Sequence, residues 1–347
     1  MTPFAKTAIM AALTFSMVPT ARADDLHQRA IILANDSQPI IIAQTSITNG
    51  QRIWDIQATT FPGINTADPL VDIGSLTKFV TAVAVLHMID QDAFALDTPI
   101  SDLLTNVPSD KANITIHDLL THSSGLIEST GSDEENLSRQ DFLERILQAP
   151  LVHPIGEKYL YSNAGYSLLA AVIEVQSGQS FDAYLNEAVF QPNGLAPIGY
   201  QAAYDESKSA LTTRNWQTTF RRQTIADASW GRETPGWNLI GNGGAVTTAE
   251  GFLQFWVAFL AGDIVSDTLV AKALTPHIDE GGGDTFYGYG LVVQSSPEYG
   301  TMYWHDGANG AFSAEWRHLT KNQTTVFTAG LGDYAFSAMD QLLDQDG

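Results

Sequence analysis

The run GSLTKFVTAVAVLHM, Gly74 to Met88, puts a serine and a lysine three positions apart at the front of a stretch otherwise apolar enough to be a buried helix. Three residues are nearly one helical turn, so Ser75 and Lys78 share a face and their side chains can touch. A serine at a helix start also has a backbone N–H among the free donors there, suited to stabilising an oxyanion. Walled by Phe79, Val80, Val83 and Leu86, the Lys78 ammonium loses hydration, which favours the neutral amine and lowers its pKa. A neutral amine beside a hydroxyl is a base beside a nucleophile. Taken alone, the pair fits equally well an N-cap followed by a first-turn surface lysine, because Ser-x-x-Lys arises by chance in a chain of this length.

Outward from this helix the pattern organises the rest of the chain. Before it, QPIIIAQ (Gln38 to Gln44) and QRIWDIQA (Gln51 to Ala58) are β-rich runs on either side of Asn49 and Gly50, and they read as a hairpin. After it, helical starts fall at Thr115, Ser138, Asn163, Ser180 and Thr247, the last with Thr247 and Glu250 spaced as a capping box. Strand signals return in YGLVVQSS from Tyr289, TMYWHDG from Thr301, GAFSAEWRH from Gly310 and QTTVFTAG from Gln323, and a short helix over Tyr334 to Asp344 closes the chain.

Strands at both ends with helices between predict an α+β fold. An antiparallel sheet is built from the N- and C-terminal strands and flanked by helices, with a mostly helical region inserted after the first strands. The boundaries read 24–74 and 285–347 for the sheet part and 75–284 for the helical part of a single domain, with a cleft between them. EGGGD (Glu280 to Asp284) reads as a flexible loop, and Gln201 to Gly241, which lacks clear periodicity, as a long loop over the site.

Composition narrows the chemistry. The opening residues, MTPFAKTAIMAALTFSMVPTARADD, set Lys6 before an apolar stretch from Thr7 to Pro19, then Ala21 and Ala23 at the two small positions of a cleavage site. This predicts a secretory signal peptide over 1–23, cut after Ala23, and a periplasmic or secreted product. A buried N-terminal helix or membrane anchor is the rival reading, but the run is shorter than the ~20 residues that span a bilayer, and no later stretch is long and apolar enough to do so. The 347 residues include no cysteine, so disulfides, thiol catalysis and zinc–cysteine sites are excluded. With 39 acidic against 17 basic residues the formal charge is −22, a field that repels nucleic acid and anionic lipid.

Two further motifs accompany the Ser-Lys pair. In YSNAGYSLLAAVIE, Tyr161 and Asn163 lie at or just before the start of an apolar helix, and in HDGANGAF, His305, Asp306 and Gly307 lie on a late strand. Singly, Tyr161 fits a core aromatic, Asn163 a helix cap and His305 a structural strand histidine; YLN at Tyr184 to Asn186 shows how readily Tyr-x-Asn arises. In this order, however, Ser-x-x-Lys, Tyr-x-Asn and a basic-x-Gly strand resemble the penicillin-recognising serine hydrolases, in their class C β-lactamase and D-alanyl-D-alanine carboxypeptidase branch. The similarity runs from Phe61 to Gly330 and takes in ALDTPISDLL, ITIHDLLTHSSGL, GNGGAVTTAEGFLQF and FYGYGLVV.

The resemblance implies that Ser75 attacks a carbonyl and that Lys78 and Tyr161 share the proton transfers of acylation and deacylation. It implies that Asn163 holds a polar group of the substrate and that His305 takes the place of the family's lysine or histidine. The N–H groups of Ser75 and of Ala308, the residue after the triplet ending at Gly307, would bind the oxyanion. No step calls for a metal or organic cofactor. The implied partner is a small-molecule or peptide-like acyl substrate, cell-wall fragments included, with no nucleic acid and no membrane span once the leader is cut.

The sequence departs from that pattern at the strand. The family's triplet usually reads Lys-Thr-Gly or His-Thr-Gly, and hydroxyls there help to bind a substrate carboxylate; this chain has Asp306 and Ala308. An Asp306 facing the cleft would repel a carboxylate by on the order of several kcal/mol in a partly desolvated site. An Asp306 turned away, or paired with Arg317, would not. The reading is therefore an exported serine acyl hydrolase working through Ser75 on esters, amides or peptides. A D-alanyl-D-alanine carboxypeptidase or a class C-like β-lactamase is the enzymatic alternative, and a penicillin-binding sensor that kept the fold the non-enzymatic one. The chain has no Gly-x-Ser-x-Gly elbow, no His-Glu-x-x-His spacing and no phosphate loop.

Overall fold

Two β-branched runs meet at Gly50, whose φ of +75° suits a tight reversal, and form a hairpin of β1 (Ile40–Thr48) and β2 (Gln51–Ala58) in register from Thr48↔Gln51 to Ile41↔Ala58. The computed structural model describes residues 21–35, 40–48, 50–58, 69–200, 235–309 and 312–343. The expected leader over 1–23 lies almost wholly outside them, as does most of the loop expected between Gln201 and Gly241. The later strands are β3 (Val71–Asp72), β4 (Val246–Thr247), β5 (Ile278–Asp279), β6 (Thr285–Tyr287), β7 (Val292–Ser296), β8 (Gly300–Ala308), β9 (Phe312–Leu319) and β10 (Thr324–Leu331). Eight of the ten form one antiparallel sheet in the order β2-β1-β10-β9-β8-β7-β6-β5, and β3 pairs with β4 in a small second sheet. The N-terminal hairpin thus docks beside the last strand, as the strands-at-both-ends pattern requires.

The helices are α1 (Ala21–Ala34), α2 (Thr77–Asp90), α3 (Ile100–Leu103), α4 (Ile116–Leu120), α5 (Arg139–Gln148), α6 (Asn163–Ser177), α7 (Phe181–Tyr184), α8 (Ala249–Leu260), α9 (Asp267–Ala273) and α10 (Tyr334–Leu343). They cover both faces of the sheet. On one face Leu26, Ala30 and Leu33 of α1 and Ala335, Met339 and Leu342 of α10 bury against Ile40, Ile42 and Val326. On the other, α2 and α8 pack on Trp316 and Phe327. Strand β10, covered on both sides, is buried along its whole length.

Helix α2 is apolar all round because it is central, the situation in which a helix loses its polar face. Phe79 sits where the layers meet, its ring 5.1–5.6 Å from Phe255, Trp256, Phe259 and Trp316. Phe79 therefore faces the sheet and α8 rather than walling Lys78. Caps shift by a residue from the sequence reading. Ser162, not Asn163, caps α6 by accepting the Gly165 N–H, and Thr248, not Thr247, caps α8 by accepting the Gly251 N–H, since Thr247 is taken up by β4. Helix α1 and the short strands β3 to β6 were not anticipated from sequence.

Candidate active site

The front of α2 is a fixed turn. Gly74–Leu76 forms one 3-10 turn before the α-helix, with Gly74 at φ +49°. The Asp72 carboxylate accepts the Gly74 N–H (2.8 Å) and the Asn309 amide (2.6 Å). The Thr77 hydroxyl donates to Gly74 O (2.7 Å) and accepts the Ala245 N–H (3.1 Å). Ser75 is held on this turn, partly exposed, while Lys78 one turn on is fully buried.

The structure brings Lys78, Ser75, Tyr161 and Asn163 together. Lys78 Nζ lies 3.2 Å from Ser75 Oγ, 2.7 Å from Asn163 Oδ1 and 2.7 Å from the Asn242 carbonyl oxygen. It also sits 4.6 Å from the Tyr161 ring centroid and 5.9 Å from that of Tyr166. Those two rings line the amine's pocket. Burial lowers its pKa to about 7, against the opposing pull of Asp133, Asp306 and Glu128. The neutral amine has two N–H bonds and one lone pair. Asn163 Oδ1 and Asn242 O can only accept, so they take the two hydrogens and the lone pair is left for the Ser75 hydroxyl proton.

Burial raises the Tyr161 phenol pKa, with Asp306, Glu280 and Glu128 adding to the rise and the neighbouring Ser75 hydroxyl opposing it. Tyr161 is an uncharged phenol at neutral pH. Asn163, its oxygen committed to Lys78, has an amide nitrogen with no hydrogen bond among the described residues. Neither the Asn242 carbonyl nor the Ser167 hydroxyl that orients its amide was flagged from sequence. The glycine-rich stretch GNGGAV marked the segment, but a backbone carbonyl leaves no residue-type signal.

The strand closes the other side. Asn309 N–H bonds Phe312 O (3.1 Å), so with Ala308 opposite Ser313 the antiparallel alternation turns the Ala308 N–H away from β9. Pairing with β7 stops at Trp304, which leaves the β8 edge open from His305 to Ala308. A Cβ built on Gly307 would lie 2.4 Å from Ser75 N, and one built on Gly74 2.7 Å from Ala308 N. Turn and strand edge are in backbone contact, which only glycines permit, and this brings the Ala308 N–H close to the turn that carries Ser75.

His305 is buried, and both its nitrogens are engaged. The Asp306 carbonyl (2.6 Å) can only accept, so Nδ1 carries the proton and Nε2 accepts from the Tyr287 hydroxyl (3.1 Å). Burial lowers its pKa to about 4, with Lys78 adding to the drop and the Asp306 charge and carbonyl opposing it. Its ring is 6.3 Å from that of Tyr161. The Asp306 side chain is half exposed, its carboxylate 4.0 Å from His305 Nδ1. The pairing with Arg317 considered from sequence does not form, because Arg317 is held by Glu315 (2.5 Å) and Asp340 (2.9 Å). Among the described residues no group of three or more His, Asp or Glu could hold a metal ion, and no helix is long and apolar enough to cross a membrane.

Known proteins resemble this chain in sequence and in fold. A family model described as Beta-lactamase matches residues 45–335. Penicillin-binding protein 4* of Bacillus subtilis is 24% identical over 282 residues, covering 74% of this chain and 60% of that protein. Esterase EstB of Burkholderia gladioli is 33% identical over 159 residues, 40% of each chain. The chain thus spans about half the length of these curated relatives. A penicillin-binding protein from Bacillus halodurans, known as a crystal structure, superposes with a TM-score of 0.71 at 26% identity, covering 86% of this chain and 94% of that one.

Proposed function

We propose that this chain, which belongs to the beta-lactamase family, is a serine hydrolase that acts through a Ser75 acyl-enzyme on esters or amides that carry no carboxylate beside the scissile carbonyl. The observation that carries this reading is the buried amine, 3.2 Å from Ser75 Oγ and with its other two acceptors supplied by the protein. Lys78 takes the hydroxyl proton as Ser75 Oγ bonds to the carbonyl carbon. The oxyanion that forms is met by the N–H groups of Ser75 and Ala308. Collapse breaks the bond to the leaving group, which takes a proton from Tyr161, and the Lys78 proton restores the phenol. Water then repeats the sequence on the acyl-enzyme. The free amide nitrogen of Asn163 donates to a polar group of the acyl moiety.

Substrate charge follows from the strand. His305 is neutral, Asp306 brings a carboxyl side chain and Ala308 has no hydroxyl, so the groups that would hold a carboxylate are absent from this edge among the described residues. Glu128, Asp133 and Glu280 act on the same centre from other segments and reinforce the unfavourable field. The apolar run and small-residue site before Asp24 support export to the periplasm or medium. The test compares short-chain p-nitrophenyl esters, nitrocefin and a D-alanyl-D-alanine peptide, with Ser75→Ala as control. Ester turnover is expected to exceed that of both carboxylate-bearing substrates, and Ser75→Ala to abolish it. Preference for nitrocefin or the peptide overturns the substrate reading; turnover that survives Ser75→Ala overturns the nucleophile.

A further inference from the structure

Both backbone N–H groups that flank Tyr161 are bound by one residue outside the Ser-x-x-Lys, Tyr-x-Asn and His-Asp-Gly motifs. His122 accepts the Leu160 N–H on its carbonyl (2.9 Å) and the Ser162 N–H on ring Nδ1 (3.0 Å). It is 1% exposed and has φ +59°, the left-handed region that turns its ring back under the segment 160–162. The ring lies 4.5 Å from Tyr161, 4.6 Å from Tyr287, 4.9 Å from Tyr166 and 5.6 Å from Tyr159, centroid to centroid.

A backbone N–H can only donate, so Nδ1 is bare and the ring proton sits on Nε2, which has no hydrogen-bond partner. A phenylalanine would fill this box without an unpaired ring N–H, but it would leave the Ser162 N–H without its acceptor. The imidazole is distinguished from such a filler only by its acceptor, and that acceptor is spent on the peptide group joining Tyr161 to Ser162. We propose that His122 is a positioning residue for acyl transfer, holding the backbone on both sides of Tyr161 so that the phenol stays against Ser75. The inference rests on the serine hydrolase reading of the same site. Burial, with Lys78 and His305 nearby, keeps the ring neutral, the form in which Nδ1 accepts.

Two variants separate the roles. His122→Phe keeps a ring and loses the acceptor; His122→Asn loses the ring but keeps an acceptor oxygen and tolerates the left-handed backbone. Active serines are counted in each with a fluorophosphonate, and kcat and KM for a p-nitrophenyl ester are expressed per labelled serine. A phenol displaced by about 1 Å costs about 10²-fold. His122→Phe is therefore expected to lose about that much kcat with KM nearly unchanged, and His122→Asn to recover most of it. Unchanged kcat per site in His122→Phe overturns the proposal, as does a folded His122→Asn that is impaired about 10²-fold; the second measurement decides alone if His122→Phe does not fold. A wild-type enzyme that leaves Ser75 unlabelled removes the hydrolase reading, and this inference falls with it.

Discussion

One added methyl at Gly307 is expected to cost activity far more than stability. The alanine Cβ would lie 2.4 Å from Ser75 N, 2.6 Å from Ile73 O and 3.0 Å from Gly74 C, all backbone atoms that cannot swing aside. Ordinary contact begins at 3.4 Å, so the β8 edge and the Ser75 turn must part by about 1 Å. That gap opens between the two N–H groups proposed to bind the oxyanion. A 1 Å misplacement costs about 10²-fold, and loss of one oxyanion donor about 10²–10³-fold, so kcat/KM should fall by about that range. Overpacking elsewhere costs about 1–3 kcal/mol, which in a chain of this size lowers Tm by only several degrees. The assay is p-nitrophenyl ester hydrolysis per fluorophosphonate-labelled serine, with a thermal melt of the same sample. Gly282→Ala, whose Cβ would meet only Thr285 Oγ1 at 3.7 Å, is the control and should stay within about twofold in both. A folded Gly307→Ala enzyme within about threefold of wild-type kcat/KM would refute the oxyanion geometry.

The Lys78 pKa of about 7 gives kcat/KM an acid limb with its midpoint there, so activity should fall about 100-fold over the two pH units below it; a flat profile contradicts a lysine base. The same group makes stability rise with pH between about 7 and its ordinary 10.5, because unfolding there takes up a proton, whereas below about 7 both states hold it; urea midpoints across the range check the sign. Tyr287→Phe removes the hydroxyl that donates to His305 Nε2 and leaves a buried acceptor unpaired, so stability should drop by about 1–3 kcal/mol, and an unchanged Tm would show that bond to be idle.

Residue type carried much of the architecture into view. The β-branched runs at Ile40 and Thr324 and the apolar stretch after Thr77 announce buried strands and a central helix by composition alone. What stayed hidden depends on tertiary placement. Thr247 and Thr248 are equally good caps, and only pairing of Val246–Thr247 with β3 decides between them. Helix α1 overlaps the segment read as the end of a leader, and its partner α10 is over 300 residues away in the chain. In the site, the Ser-Lys and Tyr-x-Asn spacings are local and legible. The Asn242 carbonyl, the His305 tautomer and the His122 brace are set by neighbours distant in sequence, and a backbone oxygen or a proton position has no letter of its own.

The carbonyl that holds the Lys78 amine in its buried position lies 164 residues beyond it. Until that later stretch has folded back, the lysine is a hydrated ammonium with its ordinary value of 10.5, and Ser75 is an inert alcohol. Reactivity is thus latent in the nascent polypeptide and switches on only at closure of the tertiary structure, which protects the chain and its neighbours from premature acylation chemistry and leaves any product truncated before that stretch silent.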